Sequence, residues 1–135
     1  MPIVSYIWVA LGSAIGGVFR FGLSGFVGRL VGEAMPWGTL VVNVLGSFAI
    51  GAFAGLTVVE GRLPASPEFR TFIMVGLCGG FTTFSSFSLQ TLALLEEGAW
   101  ARAGANVLFS VLLCLASVAL GAMLANWFNS AGRIG

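Results

Sequence analysis

The sequence predicts an all-α integral membrane protein whose four helices cross the bilayer. Of the 135 residues, 58% are apolar and only 8% are charged, against roughly 25% charged in a soluble domain. Mean hydropathy is +1.01. The charged residues also leave four long uncharged segments, at 1–19, 34–59, 71–95 and 103–132. A helix needs about 20 residues to span roughly 30 Å of hydrocarbon, so each segment is long enough for one crossing.

The ends of these segments set the predicted limits of each element. We expect a single membrane domain, 1–135, with helices at about 4–30, 37–59, 69–95 and 100–128. Pro36 precedes an interfacial tryptophan and opens the second helix, two prolines separate the second helix from the third, and Gly98 closes the third. No positive residue precedes the first apolar segment, so a cleaved signal peptide is not expected.

The arginines give little information about orientation. With an even number of crossings, the side that holds both termini carries Arg62, Arg70 and Arg133, and the other side carries Arg29 and Arg102. Cytoplasmic loops normally hold a clear excess of Lys and Arg, and three against two is no such excess. Two alternatives stay open: one orientation set by other signals, or insertion both ways with an antiparallel homodimer as the functional unit.

Composition also excludes several classes of function. The chain has no His and no Asp, which removes the usual general base and most metal-site and triad chemistry. Cys78 and Cys114 lie in apolar segments without a base to activate a thiolate. The arginines form no cluster, so nucleic acid is not an expected partner. We therefore expect a protein that is not an enzyme and whose surroundings are the lipid bilayer.

Small residues recur one helical turn apart on every predicted helix. In lipid this spacing lets two backbones approach closely, and its recurrence predicts a compact bundle with more than one helix interface. The pairs are Gly12 and Gly16, Gly51 and Gly55, and Gly76 and Gly80, with Ser117, Gly121 and Ala125 on the fourth helix.

Polar side chains at membrane depth form two stripes. Thr39, Asn43 and Ser47 share one face of the second helix, and the fourth helix carries a similar stripe that includes Asn106 and Ser110. Such residues either join helices by hydrogen bonds or line a hydrated path. The amide of Asn43 is costly to bury, and its NH2 group can donate to an anion. Arg20 either extends to the interface or attracts anions in a vestibule.

The middle of the third helix is predicted to be broken. Gly79 and Gly80 are followed by Thr82 and Thr83, and five of the seven residues at 82–88 carry hydroxyls. Glycine and β-branched residues weaken a helix. A break at this depth exposes backbone groups that lipid cannot satisfy, and it is tolerated where protein or a hydrated cavity covers it. Freed carbonyls suit a cation, whereas hydroxyls and amide donors suit an anion.

Phenylalanines are spaced three residues apart through the same stretch. A phenylalanine ring has a negative face and a positive edge. Rings turned edge-on to a narrow path would help replace the water around a small anion without holding it as tightly as a full positive charge. The alternative is an aromatic stripe that only packs. The residues are Phe81, Phe84 and Phe87.

Three motifs together resemble the Fluc (CrcB) family of fluoride channels. They are the segment 79–87 in the third helix, the segment 38–43 at the start of the second, and Arg20 with the three residues before it. The resemblance covers the whole chain. It implies a passive fluoride channel in the cell (inner) membrane that lowers cytoplasmic fluoride, built as a dual-topology antiparallel homodimer with two pores.

The resemblance also implies roles for particular residues. The fluoride path would involve Phe84, Phe87, Asn43, Ser85, Ser86 and Thr39. A central structural Na⁺ would be held by the backbone carbonyls of Gly79 and Thr82 from both subunits. Ser110 is added from its stripe and matches no motif, and Arg20 is assigned to a vestibule. Phe81 is not counted, since leucine is common there, and Ser86 replaces the threonine of many relatives.

Two other classes of protein remain as alternatives. A small proton-coupled multidrug exporter would need a titratable carboxylate at membrane depth, and the five acidic residues, all Glu, lie in loops or at their edges. A membrane scaffold without transport would tolerate alanine at Asn43 and at the hydroxyls of the third helix.

Overall fold

A computed structural model describes residues 1–133, and this part of the chain folds entirely into helices and short connections. The first helix is Ile3–Val31, the second is Trp37–Leu56, the third crossing runs over Pro67–Glu96, and the fourth helix is Trp100–Ala131. Each is long and apolar enough to cross a membrane. The prediction of four membrane-spanning helices is therefore confirmed.

The third crossing consists of two half-helices. The N-terminal half contains the segments Pro67–Arg70, Thr71–Cys78 and Gly79–Phe81, of which Thr71–Cys78 is π-helical. The C-terminal half is Phe84–Glu96. Between them the backbone is extended, with ψ of 158° at residue 82 and 113° at residue 83. The predicted break therefore exists.

Of the two residue types predicted to weaken the helix, the threonines and not the glycines lie at the break. Gly79 is right-handed helical, with φ of −64° and ψ of −36°, and the helix continues through Phe81. The two threonines that follow, Thr82 and Thr83, carry the extended conformation. Gly80 serves close packing instead: a Cβ there would lie 2.7 Å from the carbonyl oxygen of Ser13.

Some helix ends and one helix type also differ from the prediction. The second helix ends at Leu56 rather than near residue 59: Thr57 is its C-cap, and the Leu56 carbonyl oxygen accepts from the N–H of Leu63 in the following loop at 3.2 Å. The third crossing begins two residues early, since the Ser66 hydroxyl caps it by accepting a hydrogen bond from the Phe69 N–H at 3.2 Å. The sequence predicts an ordinary α-helix over Thr71–Cys78, and we found no residue pattern there that indicates a π-helix.

Two glycine seams hold the bundle together. The first helix packs on the N-terminal half of the third crossing, where a Cβ on Gly12 would lie 2.8 Å from the Gly76 Cα atom. The second helix packs on the fourth, where a Cβ on Gly121 would lie 2.8 Å from the Ala52 nitrogen. The prediction of more than one close helix interface is confirmed, and both interfaces lie within one chain.

Side chains from two other helices cap the carboxyl end of the second helix. Arg70 donates to the carbonyl oxygen of Ala54 at 3.4 Å and to the Thr57 hydroxyl, and Asn129 donates to the carbonyl oxygen of Gly55 at 3.0 Å. A helix leaves its last carbonyls without internal partners, and a cation there is favourable. These bonds tie the end of the second helix to the third crossing and to the fourth helix.

Candidate functional site

The side chain of Asn43 forms hydrogen bonds to the backbone at the break. Its Nδ2 donates to the Thr83 carbonyl oxygen at 3.0 Å, and its Oδ1 accepts from the Thr83 N–H at 2.7 Å. The carboxamide thus satisfies both backbone groups of one extended residue, as a neighbouring β-strand would. Unpaired, each group would cost about 1–3 kcal/mol in an apolar setting. Asn43 therefore stabilises the broken conformation directly.

Two carbonyls beside the break lose their usual helical donors. The Gly79 carbonyl would accept from the N–H of Thr83, but that N–H donates to Asn43. The Thr82 carbonyl would accept from the N–H of Ser86, but that N–H donates to the Thr83 hydroxyl at 3.1 Å. Both oxygens are left with unused lone pairs near the negative end of the N-terminal half-helix.

On the C-terminal side of the break, backbone N–H groups are available as hydrogen-bond donors. Thr83 is the N-cap of the C-terminal half-helix, so the N–H groups of Phe84 and Ser85 lie in its first turn, where no helical carbonyl can accept from them. The positive end of the half-helix dipole lies here too. An arrangement of this kind favours an anion, whereas the carbonyls just before it favour a cation.

Hydroxyls cluster at the same point. The Thr83 hydroxyl donates to the Ser86 hydroxyl at 3.0 Å and lies 3.3 Å from the Ser85 hydroxyl. Thr82 is different, because its hydroxyl donates to the carbonyl oxygen of Cys78 at 2.9 Å within its own half-helix. Of the hydroxyl-bearing residues predicted to cluster here, Thr83, Ser85 and Ser86 therefore contact one another, and Thr82 does not join them.

A cavity of 390 Å³, here called the groove, lies on one side of the break. The rings of Phe84 and Phe87 line it with their centroids 5.2 Å apart and their planes at 47°. Phe87 is 8% exposed, whereas Phe84 is 77% exposed. Polar and small residues complete the wall, among them Asn43, Gly46, Ser47, Gly79, Thr82, Thr83 and Ser110.

A second cavity, of 610 Å³, lies on the other side of the break and is here called the vestibule. Its lining mixes charges of both signs with hydroxyls and an amide: Arg20, Arg102, Glu33, Glu97, Thr39, Thr83, Ser86 and Gln90. The Nε of Arg20 and the Oε1 of Gln90 are both buried without a hydrogen-bond partner in the described chain. This donor and this acceptor are available to a solute or to water.

The structure divides the predicted site residues between the two cavities. Of the residues predicted for the fluoride path and the cation, six line the groove: Asn43, Phe84, Phe87, Ser110, Gly79 and Thr82. Thr39, Ser86 and Arg20 line the vestibule, and Ser85 lines neither cavity but contacts Thr83. Arg20 thus lines a cavity, and its role in attracting anions stays a prediction. Whether these residues carry ions stays a prediction.

Sequence reasoning did not select four residues that the geometry brings in. Thr83 lines both cavities, Gln90 lines the vestibule, and Asn106 and Thr91 form a chain of hydrogen bonds behind the groove. Thr83 could have been found as an N-cap threonine that precedes an apolar helical segment. Asn106 had a signal as well, because it lies one helical turn before Ser110 on the same stripe.

The hydrogen bonds behind the groove form a chain in which every donor and acceptor is defined. Ser110 donates to Oδ1 of Asn106 at 3.4 Å, Nδ2 of Asn106 donates to the Thr91 hydroxyl at 2.9 Å, and Thr91 donates to the carbonyl oxygen of Phe87 at 2.7 Å. Asn106 is 2% exposed. These hydrogen bonds connect the fourth helix to the half-helix that carries both groove phenylalanines.

Comparison with known proteins supplies a family. Residues 7–122 match the family model described as CrcB-like protein, Camphor Resistance (CrcB). Two relatives, both named "Fluoride-specific ion channel FluC", are those of Opitutus terrae, 58% identical over 93% of this chain and 95% of its own, and of Paramagnetospirillum magneticum, 57% identical over 93% and 98%. A third with the same name, from Methylocella silvestris, is 52% identical over 93% of this chain and 96% of its own.

Proposed function

The chain belongs to the CrcB family, and from this premise we propose that it is a fluoride-selective ion channel. Fluoride moves passively through it and leaves the cell, so that the cytoplasmic concentration falls. It acts as a multi-pass protein of the inner cell membrane. One observation carries the proposal: the break sets hydroxyls, first-turn N–H groups and two phenylalanines beside one apolar groove that has no carboxylate in its lining.

The geometry suits a strongly hydrated small anion. In the vestibule an anion keeps its water; Arg20 and Arg102 attract it, while the two glutamates in the same lining repel it. In the groove, the Ser47 hydroxyl, the first-turn N–H of Phe84 and the edges of the phenylalanine rings take the place of that water. A channel must replace hydration while holding its ion weakly enough to release it. Donors without a full positive charge meet both conditions.

A second copy of the chain completes the path. Phe84 lines the groove and is 77% exposed, so a single chain leaves one wall of the groove open to lipid. An antiparallel homodimer inserted in both orientations would close it and form two equivalent pores. The near-equal arginine counts on the two sides, three and two, support insertion both ways.

The dimer would also hold a structural Na⁺ on the backbone carbonyls of Gly79 and Thr82. Both oxygens lack their helical donors, since those N–H groups bond to Asn43 and Thr83. Hard cations take several oxygen ligands, and two carbonyls from each chain supply four. Because Thr82 contributes its carbonyl and not its side chain, Thr82→Ser should conduct, whereas Thr82→Pro should not. Fluoride flux unchanged by Thr82→Pro would contradict the Na⁺ assignment.

Anion efflux from liposomes tests the channel proposal. Purified protein is reconstituted, and fluoride or chloride gradients are imposed while efflux is recorded with ion-selective electrodes. We expect efflux of fluoride and not of chloride, abolished by Phe84→Ile or Phe87→Ile. Phe26→Ile is the matched control, since Phe26 is 58% exposed and lines neither cavity. Equal leakage of both halides would overturn the selectivity proposal.

Orientation is tested separately. A single cysteine in the loop between the second and third helices, in a background without Cys78 and Cys114, is labelled from outside the cell with an impermeant reagent. We expect about half of the chains to react. Labelling of all chains or of none would contradict dual topology and leave the channel proposal standing.

A further inference from the structure

Thr83 is the one described residue that lines both the groove and the vestibule. A solute that moves from one cavity to the other along the break therefore passes it. It also begins the half-helix that carries Phe84 and Phe87. The boundary at Thr83 between the larger polar cavity and the smaller apolar one is here called the neck, and it is where an anion would first lose water.

The position of Thr83 is tightly fixed. Its N–H and carbonyl oxygen are both bonded to Asn43, at 2.7 Å and 3.0 Å. Its hydroxyl oxygen accepts from the N–H of Ser86 at 3.1 Å. Every polar group of the residue thus has a protein partner, so Thr83 is not itself a free ligand for the ion.

The hydroxyl bonds of Thr83 determine the direction of its neighbours' hydrogens. Its single hydroxyl hydrogen goes to Ser86 at 3.0 Å. The Ser85 hydroxyl must therefore be the donor in its 3.3 Å contact with Thr83. Ser86 accepts the Thr83 hydrogen and keeps its own, and Ser86 lines the vestibule. Its hydrogen is available to a solute there.

Other hydroxyls nearby do not have this freedom. Ser88 donates to the Phe84 carbonyl oxygen at 2.9 Å, and Thr91 donates to the Phe87 carbonyl oxygen at 2.7 Å. A hydroxyl in a helix commonly bonds in this way to the carbonyl four residues back. Ser86 differs from them because Thr83 holds its oxygen, and so it presents a donor at the neck.

We propose that Thr83 is a positioning residue that determines halide selectivity at the neck, by holding the Ser86 hydroxyl with its hydrogen directed into the vestibule. This proposal rests on the proposed function. Fluoride accepts short, charge-assisted hydrogen bonds, so an oriented hydroxyl compensates its loss of water better than that of a larger halide. Without the Thr83 hydroxyl, Ser86 is free to turn to the unused Thr82 carbonyl, and the donor is lost.

Three variants test the proposal in the liposome efflux assay. Thr83→Val replaces the hydroxyl by a methyl group of similar size, and Thr83→Ser keeps the hydroxyl. Ser66→Ala is the matched control, because Ser66 caps the N-terminal half-helix through the same kind of bond but lines neither cavity. We expect Thr83→Val to lower fluoride flux about tenfold, the effect of one lost buried hydrogen bond, and to lower the fluoride-to-chloride ratio. Thr83→Ser and Ser66→Ala should stay within about twofold of wild type.

The outcomes separate this proposal from the proposed function. If wild type releases no fluoride, both fail. If wild type conducts and Thr83→Val keeps its flux and its fluoride-to-chloride ratio, only the role of Thr83 fails. Thr83→Ser as impaired as Thr83→Val would also overturn it, because the hydroxyl would then not be the active feature.

Chemical modification keeps the test open if Thr83→Val does not fold. Thr83→Cys is made in a background with Cys78 and Cys114 replaced by alanine, and the reconstituted protein is treated with a small thiol reagent. Addition of a bulky group at the neck should stop fluoride efflux. Continued efflux after complete modification, or failure of the reagent to reach residue 83, would overturn the assignment of Thr83 to the neck.

Discussion

The groove and the vestibule meet at one residue and yet differ in nearly every physical property. The vestibule is larger, at 610 Å³ against 390 Å³, and it contains two arginines and two glutamates. Among residues 1–133, no charged residue lines the groove; its polar groups are an amide, hydroxyls, thiols and backbone. The vestibule therefore suits an ion that keeps its water, and the groove suits one that has lost it.

This difference tells us where substitutions should have large effects. Interactions in the groove act at short range in an apolar setting, where an unpaired polar group costs about 1–3 kcal/mol. Charges in the vestibule act through water and are screened by salt. Changes at the groove should therefore alter flux and selectivity strongly. Changes in the vestibule should alter flux weakly and in a salt-dependent way.

The largest effect is expected at Asn43. Asn43→Leu removes both hydrogen bonds to Thr83, and two lost bonds of about 1.4 kcal/mol each correspond to about a hundredfold lower fluoride flux in liposomes. Asn43→Asp should be equally impaired, because a carboxylate oxygen would face the Thr83 carbonyl, which now lies 3.0 Å from Nδ2. Asn43→Asp with near wild-type flux would contradict the role of the amide in the break.

A smaller loss of fluoride flux is expected when the glycine seam between the second and fourth helices, which lies beside the groove, is disrupted. The second and fourth helices both line the groove, and they pack closely at Gly121. Gly121→Ala would force the backbones apart, at about 1–3 kcal/mol of stability, and should lower fluoride flux about tenfold. Gly104→Ala on the same helix is the control, since a Cβ there meets no atom within 4 Å. A thermal unfolding midpoint in detergent reports stability, and equal midpoints for the two variants would contradict this prediction.

Breaking the hydrogen-bond chain behind the groove should lower fluoride flux less than Asn43→Leu or Gly121→Ala does. Asn106→Leu removes two hydrogen bonds, one from Ser110 and one to Thr91. We expect only about fivefold lower fluoride flux, because both bonds lie behind Phe87 and neither involves the break. Asn129→Leu is the control: Asn129 lies on the same helix and also makes two hydrogen bonds, to Gly55 and Arg62, but lines neither cavity. Equal fluoride flux for the two variants would show that Asn106 only stabilises the fold.

The sequence was enough to predict the four helices and the break, because charge spacing and the density of hydroxyls are local properties. It was not enough to separate the two candidate causes of the break, the glycines and the threonines. Gly80 looks like a helix breaker in the sequence, but in the fold it is helical and packs closely against Ser13, and the break lies at the threonines. A single sequence contains no information on that contact across 67 positions.

The roles of individual polar residues depended on three-dimensional contacts for the same reason. Asn43 was predicted as a donor to an anion, and in the fold its amide also bonds to the backbone of Thr83, forty residues away. Thr83 itself was passed over, because its importance comes from bordering two cavities. Spacing along a helix identifies a shared face, but it does not identify what that face meets.

The smallest effect is expected at Arg20, which tests the vestibule half of the comparison. Arg20→Gln keeps a long polar side chain and removes the charge, so fluoride flux should fall about twofold to threefold at about 0.01 M salt. At about 1 M salt the screening length is about 3 Å, and the difference from wild type should disappear. Arg29→Gln, on the same helix but outside the vestibule lining, should match wild type at both salt concentrations. A deficit at Arg20→Gln that persists at high salt would mean that the buried Nε, and not the charge, is what the path needs, and the vestibule would then resemble the groove in using short-range contacts.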